Sequence, residues 1–184
     1  MSQPNDRSTG WELRLLDAIA TRTTSARAVK AARAVTMLGE TPVVWAAVAG
    51  AAAVAGLRSG SLRVAVRPVL VLAVGAGTRR ALAELIGRRR PPERLWRTHW
   101  TRPSFPSRHT TLATLGAGLV ADALTTTNPA RAVARDAAVA VAAGVGVSRL
   151  VLGVHWPTDV LAGWSCAAIV LTIARRYEPS RGME

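Results

Sequence analysis

Two of the three histidines lie in short motifs whose residue types suit phosphate chemistry. His155 is followed four residues later by Asp159, with Pro157 between them at the predicted start of a helix. A carboxylate at that spacing can accept a hydrogen bond from one imidazole nitrogen and leave the other nitrogen free to attack. The pair therefore suits nucleophilic catalysis, although a lone histidine is more often a structural residue.

The second motif places His109 at the predicted start of another helix. Pro106 breaks the preceding structure, and Ser107 is a suitable N-cap. Backbone N–H groups and an imidazole at a helix N-terminus make a ready anion site. Arg149 and the cluster Arg88-Arg89-Arg90-Pro91-Pro92 add cations, although the cluster taken alone also fits a positive stop at a membrane boundary.

Long apolar segments must position these motifs. Five of them are near the roughly 20 residues that a bilayer core demands, and they cover residues 41–57, 64–86, 109–126, 136–152 and 157–174. The first segment has no charge and no polar stripe, which disfavours the alternative of a soluble Ala-rich bundle. The sequence therefore predicts an all-α polytopic membrane helix bundle with about five spanning helices.

The composition agrees with one membrane domain. The chain has 184 residues, 24 basic against 11 acidic residues, a net charge of +13 and 49% apolar residues. Disorder is excluded, because disordered chains combine high charge with low hydrophobicity. A nucleic-acid partner is disfavoured, because the basic residues border apolar segments and form no recognition motif. Cys166 is the only cysteine, so neither an intramolecular disulfide nor a cysteine-based metal site is expected.

The N-terminal region differs from the rest of the chain. Residues 11–38 predict an amphipathic helix, broken near Thr23-Thr24-Ser25, that lies in the lipid interface or packs on the flank of the protein. We expect residues 1–10 and the tail at 177–184 to be disordered. The membrane domain is then assigned to residues 41–176.

Alternating spans bring the motifs together. The end of the second span, the start of the third and the link between the last two emerge on one membrane face. Arg90, His109, Arg149, His155 and Asp159 are therefore predicted to converge. Arginines, histidines and a helix N-terminus suit a phosphoryl group.

These motifs resemble the signature of the type 2 phosphatidic acid phosphatase family: Lys-x6-Arg-Pro, Pro-Ser-Gly-His and Ser-Arg-x5-His-x3-Asp. The third part is matched in full from Ser148 to Asp159. The second part is matched with Arg108 in place of glycine. The first part is matched only at Arg90-Pro91, because Ala83 occupies the lysine position, and Arg80 one turn earlier is a candidate substitute.

The resemblance implies a membrane-bound lipid phosphatase with a six-helix architecture. His155 would form a phosphohistidine with Asp159 orienting its ring, and His109 would protonate the leaving alkoxide and then activate water. The residues implied in phosphate binding are Arg90, Ser107, Arg108, Arg149 and Arg80. No cofactor is implied, and the acids show no spacing for a two-metal site.

The implied partner is a lipid-linked phosphate in the bacterial plasma membrane, entering laterally between helices. Decaprenylphosphoryl-5-phosphoribose is favoured, and polyprenyl diphosphate, phosphatidylglycerol phosphate and phosphatidic acid are alternatives. Because the lysine is missing, one alternative remains: a catalytically silent protein that binds lipid phosphates. A soluble haloperoxidase with a related site is disfavoured by the short, apolar chain.

The arginines also predict which side of the membrane the site faces. Sixteen of the 24 basic residues fall on the predicted site face and eight on the opposite face. The positive-inside rule then places the site on the cytoplasmic face.

Overall fold

The computed structural model describes residues 10–100, 102–125 and 127–177. Within them the chain forms seven α-helices: α1 (Gly10–Arg22), α2 (Ala26–Thr36), α3 (Thr41–Ser59), α4 (Leu62–Ile86), α5 (Arg108–Leu124), α6 (Asn128–Val151) and α7 (Pro157–Arg176). Short 3-10 turns cover Met37–Gly39 and Glu93–Leu95. Most of the two segments predicted to be disordered, 1–10 and 177–184, lies outside the described residues. Of the two residues that are described, Gly10 is helical and Tyr177 caps the C-terminus of α7.

Helices α3 to α7 correspond to the five predicted spans, which confirms the all-α bundle. Taken alone, α3 and α7 are long and apolar enough to cross a membrane, whereas α4 and α6 carry several charges. Large apolar side chains nevertheless face outward along the bundle, among them Leu57, Leu70, Val74, Val139 and Ile169. An outer surface of this kind suits lipid and argues against the soluble alternative.

Helix α5 forms the centre of the bundle and packs against α3, α4, α6 and α7. Two glycines allow this close packing. A Cβ at Gly116 would lie 2.6 Å from Val44 Cγ1, and one at Gly118 would lie 2.7 Å from Leu171 Cδ1. Because α5 begins at Arg108, its N-terminus with His109 is held rigidly at one end of the core.

The N-terminal helices pack across the end of the bundle that carries the motifs. The predicted break is confirmed, because Ser25 caps α2 by accepting a hydrogen bond from the Ala28 N–H. Helices α1 and α2 both contact α6. Leu16 is buried, whereas Trp11 remains 45% exposed. The amphipathic region thus covers the flank of the protein and still presents apolar side chains outward.

Two loops at this end pack tightly on each other, one described over residues 87–100 and 102–107 and the other over 152–156. The Arg97 N–H donates to the Leu152 carbonyl at 3.0 Å. Gly153 adopts φ +69°, and a Cβ there would lie 2.0 Å from the Leu95 carbonyl oxygen. Only glycine fits such an approach, so the chain can turn directly from α6 into His155.

Candidate active site

His155 and Asp159 form the buried pair that their spacing predicts. Asp159 lies in the first turn of α7, and its Oδ2 is 3.4 Å from His155 Nδ1. The same oxygen accepts the Trp156 N–H at 2.8 Å. Both side chains are almost inaccessible to solvent. The carboxylate is therefore fixed by the helix start, and it orients the imidazole.

The other nitrogen of His155 meets Arg90. The Arg90 Nη1 lies 3.2 Å from His155 Nε2. A guanidinium can only donate, so Nε2 carries the lone pair and Nδ1 carries the proton. Burial lowers the pKa of His155 to about 4, the Asp159 hydrogen bond opposes that shift, and Arg90 and Arg149 add to it. The neutral imidazole therefore dominates at physiological pH.

Backbone carbonyls hold Arg90 in this position. Its Nη1 donates to the Val154 carbonyl at 2.5 Å, and its Nε donates to the Arg102 carbonyl at 2.7 Å. Burial, together with the Arg149 charge, lowers the pKa of Arg90 to about 9. Arg90 is still a cation at neutral pH, next to the nitrogen that carries the lone pair.

Arg149 presents unused donors inside the protein. Its side chain is 1% exposed, and Nη1 donates to Thr36 Oγ1 at 2.8 Å. Its Nε and Nη2 find no hydrogen-bond partner among the described residues. Burying a charge with free donors is costly unless a ligand pairs with it. This arrangement suits an anion with several acceptor oxygens.

The N-terminus of α5 supplies the second histidine. Ser107 is the N-cap as predicted, and its buried hydroxyl accepts from the Thr110 hydroxyl at 2.9 Å. The Ser107 N–H donates to the Asp159 carbonyl at 3.0 Å, which ties the start of α5 to that of α7. His109 is buried, and its Nε2 lies 3.0 Å from Glu40 Oε1.

Trp100 joins these groups into one site. Its ring lies 5.3 Å from the His109 ring, and the Arg90, Arg108 and Arg149 guanidiniums lie 5.0–5.5 Å from its centre. These distances are within the range of cation–π contacts. The predicted convergence of Arg90, His109, Arg149, His155 and Asp159 is therefore present in the structure.

Arg80 is not brought to the histidines. Its Nε donates to Glu84 at 2.8 Å in an exposed ion pair. Both residues line a basic pocket of about 100 Å³ that also includes Ala83, Arg90 and Arg108. Ala83, which stands where the family has lysine, thus lines the pocket. Arg80 lies at the exposed edge of the same pocket.

Three further residues of the site, Glu12, Glu40 and Trp100, are not indicated by the sequence motifs. Arg88 pairs with both Asp159 and Glu12, Glu40 pairs with His109, and Trp100 contacts the arginines. Arg88 belongs to the arginine cluster at 88–90 that the sequence predicts to add cations. The acids carried no spacing signal, because they come from α1 and from the turn before α3.

The described part of the chain brings no three His, Cys, Asp or Glu side chains close enough to hold a metal ion. The charges that surround His155 and His109 come mainly from guanidinium groups. Arginine donates hydrogen bonds to phosphate oxygens and matches their geometry. The site therefore has the composition of an oxyanion or phosphoryl site.

A helical membrane bundle with this site defines a class of lipid phosphatases, and the comparisons agree. The PAP2 superfamily matches residues 64–183, so the chain belongs to that superfamily. It is 36% identical over 141 residues to decaprenylphosphoryl-5-phosphoribose phosphatase of Mycolicibacterium smegmatis, covering 72% of this chain and 69% of that protein.

A solved structure shares the fold. The transmembrane PAP2 type phosphatidylglycerolphosphate phosphatase from Bacillus subtilis superimposes with a TM-score of 0.84 at 22% identity. The match covers 97% of this chain and 91% of that one. The chain is thus a PAP2-type lipid phosphatase of the membrane, and the resemblance noted from its motifs is confirmed.

Proposed function

We propose that the chain hydrolyses a terminal phosphomonoester of a lipid-linked substrate through a phosphohistidine on His155. The observation that carries this proposal is the arrangement around that imidazole. Asp159 lies on Nδ1, and Arg90 Nη1 lies 3.2 Å from the unprotonated Nε2. When substrate binds, this N–H would turn from Nε2 to a phosphate oxygen, which frees the lone pair for attack and keeps the cation beside the phosphate.

The chemistry proceeds in two steps. The Nε2 lone pair of His155 bonds to phosphorus, the bond to the leaving oxygen breaks, and His109 gives that oxygen a proton. Water then attacks phosphorus and gives a proton back to His109, the P–N bond breaks, and phosphate leaves. Histidine acid–base catalysis of this kind contributes about 10²- to 10⁴-fold.

In this proposal Arg149, Arg90 and the N-terminus of α5 bind the phosphate. The unpaired donors of Arg149 support this role. Ser107 and Arg108 lie at the start of α5. Positive groups already aimed at the phosphate oxygens stabilise the charge of the transition state without reorganisation.

We assign the substrate class from two further observations. The relative with 36% identity is named for decaprenylphosphoryl-5-phosphoribose, a lipid with a terminal sugar phosphate. An apolar cleft of about 460 Å³ runs between α3, α5 and α6 and includes Leu38 and Ala113. Ala113 lies one turn beyond His109, so a lipid chain in this cleft would lead to the site from the bilayer.

Phosphate release from four lipids tests the function. Purified protein is incubated with decaprenylphosphoryl-5-phosphoribose, undecaprenyl diphosphate, phosphatidylglycerol phosphate and phosphatidic acid, and we expect the fastest release from the first. His155→Ala should abolish release, and the matched control His99→Ala, an exposed histidine in the loop, should not. Binding of the lipids without release from any of them would favour the catalytically silent alternative.

The phosphohistidine itself is tested by trapping. Substrate with a radiolabelled terminal phosphate, quenched in base after milliseconds, should leave label on the parent protein and none on His155→Ala. Phosphate release by the parent with no label on the protein at any time would point to direct attack by water.

We further propose that the site faces the cytoplasm. The end of the bundle that holds His155 also carries α1, where Asp17 pairs at 2.6 Å with Arg94 of the loop between α4 and α5. The alternation of spans along the sequence assigns 16 of the 24 basic residues to this face, as the positive-inside rule requires for a cytoplasmic face.

Thiol labelling tests the orientation. In a Cys166→Ala background, Ser180→Cys should react with an impermeant maleimide added to intact cells, and Ser8→Cys should react only after lysis. The reverse pattern would place the site outside.

A further inference from the structure

Glu40 places a carboxylate beside His109 and among the arginines of the site. Its Oε1 lies 3.0 Å from His109 Nε2, and its Oε2 lies 3.3 Å from Arg108 Nη2. A carboxylate is a poor neighbour for a phosphate, because like charges repel. Its contact with His109, rather than with His155, points to a role on the side of the leaving group.

The backbone holds Glu40 in this position. The preceding residue, Gly39, packs so closely on α5 that a Cβ there would lie 2.7 Å from the His109 carbonyl oxygen. Glu40 is also the N-cap of α3, and its carbonyl accepts the Val44 N–H at 3.0 Å. The carboxylate is therefore presented to His109 by two packed elements.

Glu40 also forms an ion pair with Arg108, the residue that departs from the family signature. Arg108 stands where the signature has glycine, and its guanidinium donates to Thr41 Oγ1 at 3.2 Å and to Glu40. An unpaired Arg108 would attract a second phosphate next to His109. The ion pair with Glu40 neutralises that attraction.

We propose that Glu40 determines which leaving group the site accepts, admitting a neutral alcohol and disfavouring an anionic phosphate. This inference rests on the proposed function, in which His109 protonates the leaving oxygen. In a diphosphate that oxygen belongs to a second phosphate, whose charge would lie against Glu40. In a sugar phosphate it belongs to a sugar, whose hydroxyls can donate to a carboxylate as ribose does in dinucleotide-binding folds.

Two substrates with the same lipid chain isolate this effect. The leaving group is farnesol, a neutral alcohol, when farnesyl phosphate is hydrolysed. It is farnesyl phosphate, an anion, when farnesyl diphosphate is hydrolysed. We expect Glu40→Gln to raise the ratio of kcat/KM for the diphosphate to that for the monophosphate by about tenfold, because a like charge is removed and Arg108 is released. Both activities scale with the amount of folded protein, so partial misfolding does not change the ratio.

Two variants control the experiment. Asp122→Asn removes a carboxylate that pairs with Arg175 at 2.8 Å, at the other end of α5, and should keep the ratio of the parent. Glu40→Asp retains the charge on a shorter side chain and should keep the ratio low even if both rates fall.

The outcomes separate this inference from the proposed function. An unchanged ratio in Glu40→Gln, or an equal rise in Glu40→Asp, would overturn selection by charge while hydrolysis of the monophosphate still stood. Absence of phosphate release by the parent from every lipid tested would overturn the proposed function, and selection by Glu40 with it.

Discussion

Arg88 donates to Asp159 Oδ1 at 2.8 Å and thereby links the His155–Asp159 pair to the N-terminal helix. Its other terminal nitrogen donates to Glu12 Oε2 at 2.6 Å. Glu12 is buried on α1, and its Oε1 accepts from the backbone and hydroxyl of Thr158. The carboxylate that orients His155 is thus held by a guanidinium that α1 holds in turn.

Glu12→Gln should therefore slow turnover, although residue 12 does not contact the substrate. The variant removes a buried negative charge and leaves Arg88 partly unpaired, which loosens Asp159. We expect kcat to fall about tenfold, less than the 10²- to 10⁴-fold range typical of a group that transfers the proton itself. Steady-state kinetics should show a smaller change in KM than in kcat.

Asp17→Asn is the matched control for Glu12→Gln. Asp17 lies on the same helix and pairs with Arg94, but both side chains of that pair are largely exposed. Exposed pairs contribute about 0–1 kcal/mol, so its kcat should stay near that of the parent. Equal kinetics for the two variants would show that α1 does not support the His155–Asp159 pair.

The lowered pKa of His155 gives a second prediction. The folded value of about 4 lies below the ordinary value of 6.5, because burial disfavours the imidazolium. The unfolded chain therefore binds the proton first as the pH falls. The contribution of this group to stability is complete above about pH 6.5 and is lost progressively toward pH 4.

Nuclear magnetic resonance of histidine-labelled protein in detergent checks this value. The His155 signal, assigned by its absence in His155→Gln, should titrate near pH 4. Arg90→Gln should raise the midpoint, because it removes a nearby positive charge, and Asp159→Asn should lower it further. A midpoint at pH 6.5 in the parent would show that the imidazole is solvated, contrary to its burial.

The sequence was sufficient for the parts of the site that lie within local motifs. The spacing of His155 and Asp159, the Ser107 cap and the alternation of five spans all follow from short-range rules. Glu12, Glu40 and Trp100 could not be predicted in this way. Each reaches the site through packing between distant elements, and neither acid has a partner nearby in the sequence that marks it as functional.

Trp100 gives a third prediction. Its ring contacts the guanidiniums of Arg90, Arg108 and Arg149, and each such contact contributes about 0.5–2 kcal/mol. Trp100→Leu should leave these side chains less ordered, so that more conformational entropy is lost when phosphate binds. We expect KM to rise severalfold with a smaller effect on kcat, whereas Trp100→Phe should retain most of the affinity.

A matched comparison for Trp100 is Trp11→Leu, because Trp11 is an exposed indole on α1. Its KM should equal that of the parent. If Trp100→Leu instead lowered KM, the indole would be competing with the substrate for the arginines rather than ordering them.

Ala83 occupies the position of the family lysine, and two neighbouring arginines of α4 could replace that cation. Ala83 is 5% exposed and faces the basic pocket, which Arg79 and Arg80 also line. Arg80 is exposed and engaged with Glu84, whereas Arg79 is partly buried. Arg79 is therefore better placed than Arg80, the substitute predicted from the sequence, to help hold an anion in this pocket.

Arg79→Ala should accordingly raise KM severalfold, while Arg80→Ala should change it less than about twofold, as expected for an exposed pair. Adding Ala83→Lys to Arg79→Ala should recover most of the lost affinity, because the new ammonium group would reach the same pocket from the adjoining turn of α4. Steady-state kinetics on one lipid phosphate, with size-exclusion profiles confirming intact protein, give the comparison. A larger loss in Arg80→Ala than in Arg79→Ala would assign the role to Arg80 after all, and would mean that its ion pair with Glu84 opens when substrate binds.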